Sequence, residues 1–451
     1  MAPITETLQL ALEHHRQGRL AEAEQLYRQV LQADPTNVDA LHLMGVLATG
    51  VGKYELAVNF ISHAIRLQGK HPAFHVNLSD ALQRWGRNTD ALAAARQAVR
   101  LEPTYAEGHN SVGSVLKSLD RLDEALAAFT RAVDIKGDYV DAHYNRALLR
   151  ISLGDFSRGW DEYEWRWKRP NFHQPPLPKP RWDGSPLDGR LLLVQCEQGF
   201  GDTIQFIRYV KRMQAQGERV LVVPQLPLVP LLTTSGVQNV ISPGTPMSEF
   251  DVYLPLMSLP RVFGTTLETV PADVPYLAAD AALVEHWKTR LAAIGGFTIG
   301  IHWQGNPESP LEPRRSIPLA HFAPLAGEGV SIISLQKGFG TEQILAAQSQ
   351  FHLADLGGDL DEAHGPFMDT AAIMRGLDLV ITSDTATAHL AGALGVPVWL
   401  PLSCDPDWRW LQQRSDCPWY PSMRLFRQPE PGNWPAVFAE MAGELKKLVA
   451  E

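Results

Sequence analysis

Cysteine is scarce: Cys196, Cys404 and Cys417 are the only three in 451 residues. Their spacing fits neither a zinc-ligand set nor a disulfide framework, which excludes a small stapled secreted domain. A pairing of Cys404 with Cys417 is left open, and a reducing cytoplasm is the simpler reading. No stretch of about 20 uninterrupted apolar residues occurs, so no membrane span is expected. Met1 to Leu20 lacks the apolar core of a secretory signal, and a cytoplasmic location is expected. Positive charge is in deficit: 40 Lys and Arg against 50 Asp and Glu give a formal net charge of −10. That excludes the broad basic footprint of a general binder of nucleic acid or acidic membranes. No acidic cluster suited to a divalent metal is evident. What remains is ordinary globular material: 45% apolar residues, and a length that suggests about three domains.

The first third is periodic. Gly18, Gly52, Gly86 and Gly154 share one series of step 52 − 18 = 34, with Asp120 in the remaining slot. Ala23, Ala57, Ala91 and Ala125 keep the same step, as do Tyr27, Ile61, Ala95 and Phe129. Small residues where paired helices cross, at a 34-residue period, resemble the tetratricopeptide repeat over residues 4–168. Such repeats stack into a superhelix with a concave groove, which implies a protein or peptide partner. His75, His109 and His143 recur at the repeat spacing, and repeat geometry explains them better than a metal site. The last unit turns aromatic at Trp160, Tyr163, Trp165 and Trp167, as expected of a capping helix docked on the next domain.

Pro170, Pro175, Pro176, Pro178, Pro180 and Pro186 mark a stiff connector over 169–188. Trp182 within it predicts that it lies against the domain that follows. Leu191 to Val194 then reads as a buried strand that runs into a glycine turn and a helix from Ile204 to Met213. Gly199, Gly201 and Asp202 make that turn, with Asp202 at the helix cap. The turn is neither a dinucleotide fingerprint nor a P-loop, because no Gly-Lys-Ser/Thr follows. Further strands are expected at Arg219–Val223, Asn239–Ile241 and Asp251–Leu254, closing a first α/β lobe over 189–280.

A second lobe, 281–451, opens with a helix at Ala281–Ile294. Strands follow at Thr298–Trp303, Val330–Leu335 and His352–Leu356. Polar groups recur just past the strand ends: Gln304 and Asn306, Arg314 and Arg315, Gln336 and Lys337, Asp369 and Thr370. In a parallel sheet they converge on one edge. The densest stretch is Leu377–Leu402. It reads as a buried strand, a polar turn with Ser383, Asp384, Thr385 and Thr387, a small-residue helix carrying His389, and another strand. A helix N-terminus at the carboxyl end of a parallel strand is a ready anion site. Arg314, Arg315 and Lys337 suit a pyrophosphate, and Asp369 suits a ribose hydroxyl or base edge. The plain alternative is a capped helix with Asp384 as its cap and His389 as a satisfied histidine.

Two α/β lobes with GFGDTIQ at 199–205 and SDTATAHLAGALGVP at 383–397 resemble the heptosyltransferase-like glycosyltransferases of family 9, of GT-B fold. The DWRW and RLFRQ segments, Asp407–Trp410 and Arg424–Gln428, resemble the subgroup that carries tetratricopeptide repeats in front. Flagellin and other bacterial protein glycosyltransferases share that layout. The resemblance implies a tetratricopeptide superhelix followed by a GT-B pair of Rossmann-like lobes. It implies inverting, metal-independent transfer from a nucleotide sugar, ADP-heptose among the possibilities, to an acceptor held by the repeats. It places the general base on Asp202, the acceptor side on Gly199, Gly201 and Gln205, and the phosphate motif on Asp384, Thr385 and His389. It also implies that the C-terminal helix, Pro435–Val449, packs back on the first lobe. Ala386 departs from the family glycine. The competing expectation is an interaction scaffold with a degenerate transferase domain.

Overall fold

The structure, a computed structural model, describes residues 3–170, 172, 177–246, 249–309, 312–358 and 360–450, with the side chain of Pro313 set aside. Pro175 and Pro176 of the proline connector lie outside the described residues. The chain divides into two compact units: residues 1–150 with 162–173, and residues 151–161 with 174–451.

Ten helices among the described residues come in pairs: α1 (Ile4–Arg16) and α2 (Leu20–Ala33), α3 (Val38–Gly50) and α4 (Tyr54–Leu67), α5 (Pro72–Arg84) and α6 (Asn88–Leu101), α7 (Ala106–Ser118) and α8 (Leu122–Ile135), α9 (Val140–Ser152) and α10 (Phe156–Tyr163). First helices start 38 − 4 = 34 residues apart throughout. The turn inside each pair needs a left-handed residue. Glycine supplies it at 18, 52, 86 and 154 with φ between 75° and 82°. Asp120 takes it at φ 55°, as a short polar side chain tolerates. The helices then cross closely over small residues. A β-carbon on Gly113 would fall 2.7 Å from the Phe129 ring.

The recurring histidines are latches across the joins. The Nε2 of His75, His109 and His143 donates to the carbonyls of Gly69, Pro103 and Gly137, at 3.1, 3.0 and 3.0 Å. No group of metal-ligating side chains forms among the described residues. The last pair has an additional device. Glu162, 7% exposed, accepts from His143 Nδ1 at 2.6 Å, Arg146 Nη2 at 2.5 Å and Arg150 Nη1 at 2.7 Å.

Residues 151–161 belong to the second unit. There Trp160 meets the rings of Phe206, Trp408 and Trp419 at 6.2, 5.4 and 6.4 Å, all near-perpendicular.

The second unit holds two parallel sheets. The smaller has order β2-β1-β3, from β1 (Leu192–Gln195), β2 (Val220–Val223) and β3 (Val252–Pro255). Helix α11 (Phe200–Ala215) crosses from β1 to β2, and short helices α12 (Val229–Thr234) and α13 (Leu259–Val262) follow β2 and β3. The proline connector adds to the β3 edge as expected: Trp182 N donates to Tyr253 O at 2.8 Å, and Tyr253 N to Pro180 O at 3.1 Å. The strand expected at Asn239–Ile241 shrinks to a single bridge between Val240 and Val222. The left-handed backbone of Asn239, φ 54°, interrupts the extended run.

The larger sheet has order β6-β5-β4-β7-β8-β9 and is parallel throughout. After α14 (Ala281–Ile294), its elements are β4 (Phe297–His302), α15 (Glu312–Arg315), β5 (Val330–Ser334), α16 (Ile344–Ala347), β6 (Leu353–Ala354), α17 (Met368–Met374), β7 (Leu379–Thr382), α18 (Ala386–Ala393), β8 (Val398–Leu402), β9 (Met423–Arg427) and α19 (Trp434–Ala450). The chain winds outward from β4 through β5 to β6, then returns to the other side of β4 for β7 to β9. The winding direction reverses between β4 and β7, and in open parallel sheets a ligand crevice lies outside the carboxyl ends of strands at such a point. Helix α19 does not pack back on the smaller sheet. Its apolar stripe of Trp434, Val437, Phe438, Met441 and Leu445 lies in one core with Ile299, Ile301, Phe322 and Leu379 of the larger sheet's side. Arg424 of β9 clips it by an ion pair to Glu444 at 2.6 Å.

Candidate functional site

The smaller sheet delivers the glycine turn at the end of β1. Gly199 precedes the first turn of α11, and its N–H donates to Asp202 Oδ2 at 2.7 Å. The carboxylate thereby satisfies one of the free amides of the helix start and complements its dipole. The other oxygen, Oδ1, pairs with Arg409 from the larger sheet's side. Arg409 also donates to Gln205 Oε1 at 2.8 Å and Asp407 Oδ1 at 2.7 Å, and lies 4.0 Å over the Trp408 ring. Gly201 is also where two helices meet. A β-carbon there would sit 2.7 Å from the His389 ring and 3.6 Å from Ala386 Cα, so the glycine lets α11 cross α18 at its first turn.

The larger sheet delivers the second half. Beyond β7, Ser383, Asp384 and Thr385 lead into α18. Thr385, not Asp384, occupies the cap position, and its side chain makes no cap hydrogen bond. The Ser383 hydroxyl is fully buried and has no hydrogen-bond partner among the described residues. Thr385 Oγ1 lies 3.4 Å from His302 Nδ1. Burial, aided by the Arg315 charge, lowers the His302 pKa to about 3 and keeps the ring neutral. Burial raises the Asp384 carboxyl, while the Trp410 indole and Arg315 pull it the other way. Arg315 turns inward, held by Glu312 Oε2 at 2.7 Å. A β-carbon on Gly305 would meet Arg315 Nη2 and Glu312 Oε2, each at 2.9 Å, and Thr385 Cγ2 at 3.2 Å. Gly305, Arg315 and Thr385 therefore converge on the α18 N-terminus, at the reversal between β4 and β7. The arrangement can hold an oxyanion with amides, hydroxyls and one guanidinium.

Other residues expected here are occupied elsewhere. Arg314 points away, paired with Asp405 at 3.0 Å and 58% exposed. Lys337 pairs with Glu362 at 2.7 Å on the surface. Gln336 is a rivet: its Oε1 accepts from Trp303 N and Gln304 N, both at 3.0 Å, and its Nε2 donates to Gln304 O at 2.7 Å and Phe339 O at 2.6 Å. The Gln304 side-chain oxygen accepts from Gln343 at 3.1 Å, and Asn306 Oδ1 accepts from Glu308 N at 3.0 Å. Asp369 is buried, accepting from Trp287 Nε1 at 2.8 Å, Asp361 N at 3.1 Å and the His364 ring at 3.1 Å. Thr370 N and Oγ1 both donate to Asp361. His389 bonds Tyr420 Oη at 3.0 Å and stacks on Trp410 at 5.2 Å. Burial and the Arg208 charge lower its pKa to about 3. Thr387 is buried in the first turn of α18. The three cysteines form no disulfide, so Cys404 and Cys417 are not joined to each other.

Three contributors escape sequence reasoning. The sequence offers Arg409 only as part of a marker motif. Glu312, which orients Arg315 and also accepts the Gly305 N–H at 2.6 Å, carries no signal. Arg208 is a buried cation that donates to the carbonyls of Pro271 at 2.8 Å and Trp419 at 2.7 Å and to Tyr276 Oη at 2.8 Å. Positions 202, 205 and 208 step by three along α11 and share a face, which is the available clue.

Comparison with known proteins matches residues 14–75 and 76–140 to the tetratricopeptide repeat. The repeats are therefore tetratricopeptide repeats. Protein FlbA of Caulobacter vibrioides is 29% identical over 341 residues, covering 68% of this chain and 55% of the relative. The chain thus spans about half the length of that curated relative. Among solved structures, the tetratricopeptide-repeat protein TTC0263 of Thermus thermophilus is 20% identical, covering 38% of this chain and 93% of that one, with a TM-score of 0.35. The Pseudomonas aeruginosa protein pilF is 17% identical, covering 38% and 78%, with a TM-score of 0.34. No helix among the described residues is long and apolar enough to cross a membrane.

Proposed function

We propose that the chain is a glycosyltransferase of GT-B type that moves a sugar from a nucleotide donor to a protein or peptide held by its tetratricopeptide repeats. One observation supports the reading: the turn bearing Asp202 lies so near the first turn of α18 that a β-carbon on Gly201 would fall 3.6 Å from Ala386 Cα. A carboxylate and a helix N-terminus are thus brought to one place from the two parallel sheets. The leaving nucleoside diphosphate gains charge in the transition state. The α18 amides, the Ser383 and Thr385 hydroxyls and Arg315 would stabilise it, which is electrostatic catalysis by preorganised donors. Asp202 would take the proton of the acceptor hydroxyl, and in-line attack from its side inverts the anomeric centre. Arg208, Tyr276 and Tyr420 tie the two sheets together beside this point. Of the basic residues at the sheet edge, Arg315 is the one assigned to the diphosphate.

The test is calorimetric titration with a panel of nucleotide sugars, without added metal. One nucleotide sugar binds in the micromolar range, and Arg315→Ala weakens it at least tenfold. A panel with no binder overturns the reading. A second reading, an interaction scaffold with a degenerate transferase domain, draws on the ion pair that occupies Asp202. Partner binding through the repeats, with no nucleotide affinity, selects it.

A further inference from the structure

The turn that carries Arg409 is strained and clamped. Leu411, 3% exposed, holds φ 54° and ψ −168°, a region that residues with a β-carbon rarely enter. Arg427 Nη2 fixes it by donating to the carbonyls of Trp410 at 2.7 Å and Leu411 at 3.2 Å. Backbone outliers of this kind persist only where their surroundings over-determine them, and they cluster at clamps and switches. This one touches both halves of the proposed site. On one side Arg409 engages Asp202 and Gln205 of α11. On the other, Trp410 stacks on His389 of α18 at 5.2 Å.

The arrangement leaves Asp202 unfit for its role as it stands. One of its oxygens is taken by the Gly199 amide and the other by the Arg409 guanidinium. A cation in direct contact also makes a carboxylate a poorer base. The buried Gln205 amide nitrogen, next to the same guanidinium, has no acceptor among the described residues, so the network is incomplete without a further polar group. A β-carbon on Gly201, the neighbour of Asp202, would fall 3.6 Å from Ala386 Cα, so the α18 N-terminus offers a place for new negative charge close by.

We infer that Arg409 is a positioning residue that masks Asp202 while the crevice is empty and transfers to the donor diphosphate when it binds, exposing the base only with the donor in place. This rests on the transferase reading above. It adds an order to the reaction: donor first, acceptor second. Transfer of the cation costs it the Asp202 partner and returns a diphosphate oxygen. Asp407 stays with it on its own turn and limits how far it travels.

Competition between Asp202 and the anion for one guanidinium makes the test a binding experiment on the full chain. The probes are inorganic pyrophosphate and the tightest-binding nucleoside diphosphate. Asp202→Asn keeps an oxygen for the Gly199 amide but removes the competing charge. It binds pyrophosphate about tenfold tighter than the wild type, the scale of one hydrogen bond to a charged group. Arg409→Gln binds about tenfold weaker, Arg409→Lys recovers part of the loss, and the double variant behaves as Arg409→Gln. A residue with a merely structural role would not give Asp202→Asn a gain. Unchanged or weaker binding by Asp202→Asn, or a gain that survives in the double variant, overturns the inference and leaves nucleotide binding standing. A wild type that binds neither probe overturns the transferase reading and this inference with it.

Discussion

Replacing Arg208 with leucine should loosen the second unit more than any surface change. The guanidinium is buried and hydrogen-bonded to two backbone carbonyls, those of Pro271 and Trp419, and to Tyr276 Oη. It also lies over the Tyr276 and Tyr420 rings at 4.4 and 4.7 Å. Exchanging a buried ion pair for apolar groups is often neutral, because both charges leave together. Here the partners are carbonyls that remain behind. Each unsatisfied buried carbonyl costs about 1–3 kcal/mol, so two give about 4 kcal/mol at mid-range. Tyr276 keeps some compensation through Tyr420, whose hydroxyl is 3.3 Å away. Urea unfolding followed by tryptophan fluorescence reads the result directly, because Trp160 and Trp419 pack in the same cluster. A loss of about 4 kcal/mol should come with a reduced slope, as the two sheets cease to unfold together. A loss under about 1 kcal/mol with an unchanged slope would refute the claim that this cation joins them.

Two further outcomes are expected. Glu162→Ala leaves Arg146, Arg150 and His143 without their shared carboxylate and should destabilise the repeat unit by about 3–5 kcal/mol. An unchanged melting curve for the repeat helices would remove its role as a terminal clamp. Acid should destabilise the second unit through His302 and His389. Burial lowers both from the ordinary 6.5 to about 3 in the folded state. The unfolded chain therefore takes up protons that the folded one refuses, and stability present above about pH 6.5 is lost as pH falls toward 3. Between neutrality and about pH 5 the pair contributes a loss of about 4 kcal/mol, which Asp384, shifted upward, works against. Urea midpoints that do not move over that range would contradict the buried neutral state of the two rings.

The repeats are legible because each reuses the same devices. A left-handed glycine and a small crossing residue return at one spacing, with Asp120 the exception in the glycine series, and a latching histidine returns in the last three repeats, Thr7 and Leu41 standing in its place in the first two. Five strands of the larger sheet are legible as apolar runs closed by polar turns, whereas β9, Met423–Arg427 with its two arginines, is not read as a strand. The bridge at Val240 is not, because the left-handed backbone of Asn239 is a choice the sequence permits without requiring. The C-terminal helix lands on the larger sheet rather than the first lobe, because an apolar stripe states that a helix is buried, not against which sheet. The turns that carry Asp202, Asp384 and Thr385 can be read as breaks between a strand and a helix. Gln336 and Asp369 look equally suited to a ligand. A polar residue after a strand can bind a substrate or pin a loop, and only coordinates separate the two. Arg409 and Arg208 are illegible for another reason: Asp202 lies 207 residues from Arg409, and Trp419 lies 211 from Arg208.

The histidine latches bear on how such an array can change length. Each ring binds a carbonyl six residues upstream, so the contact is complete within one join. A whole module can be duplicated or lost between two joins without leaving a ring unmatched. The final module is different, because the ring of His143 also answers to Glu162. The latches therefore leave the number of upstream modules unconstrained, whereas the contact between His143 and Glu162 ties the last module to its own second helix.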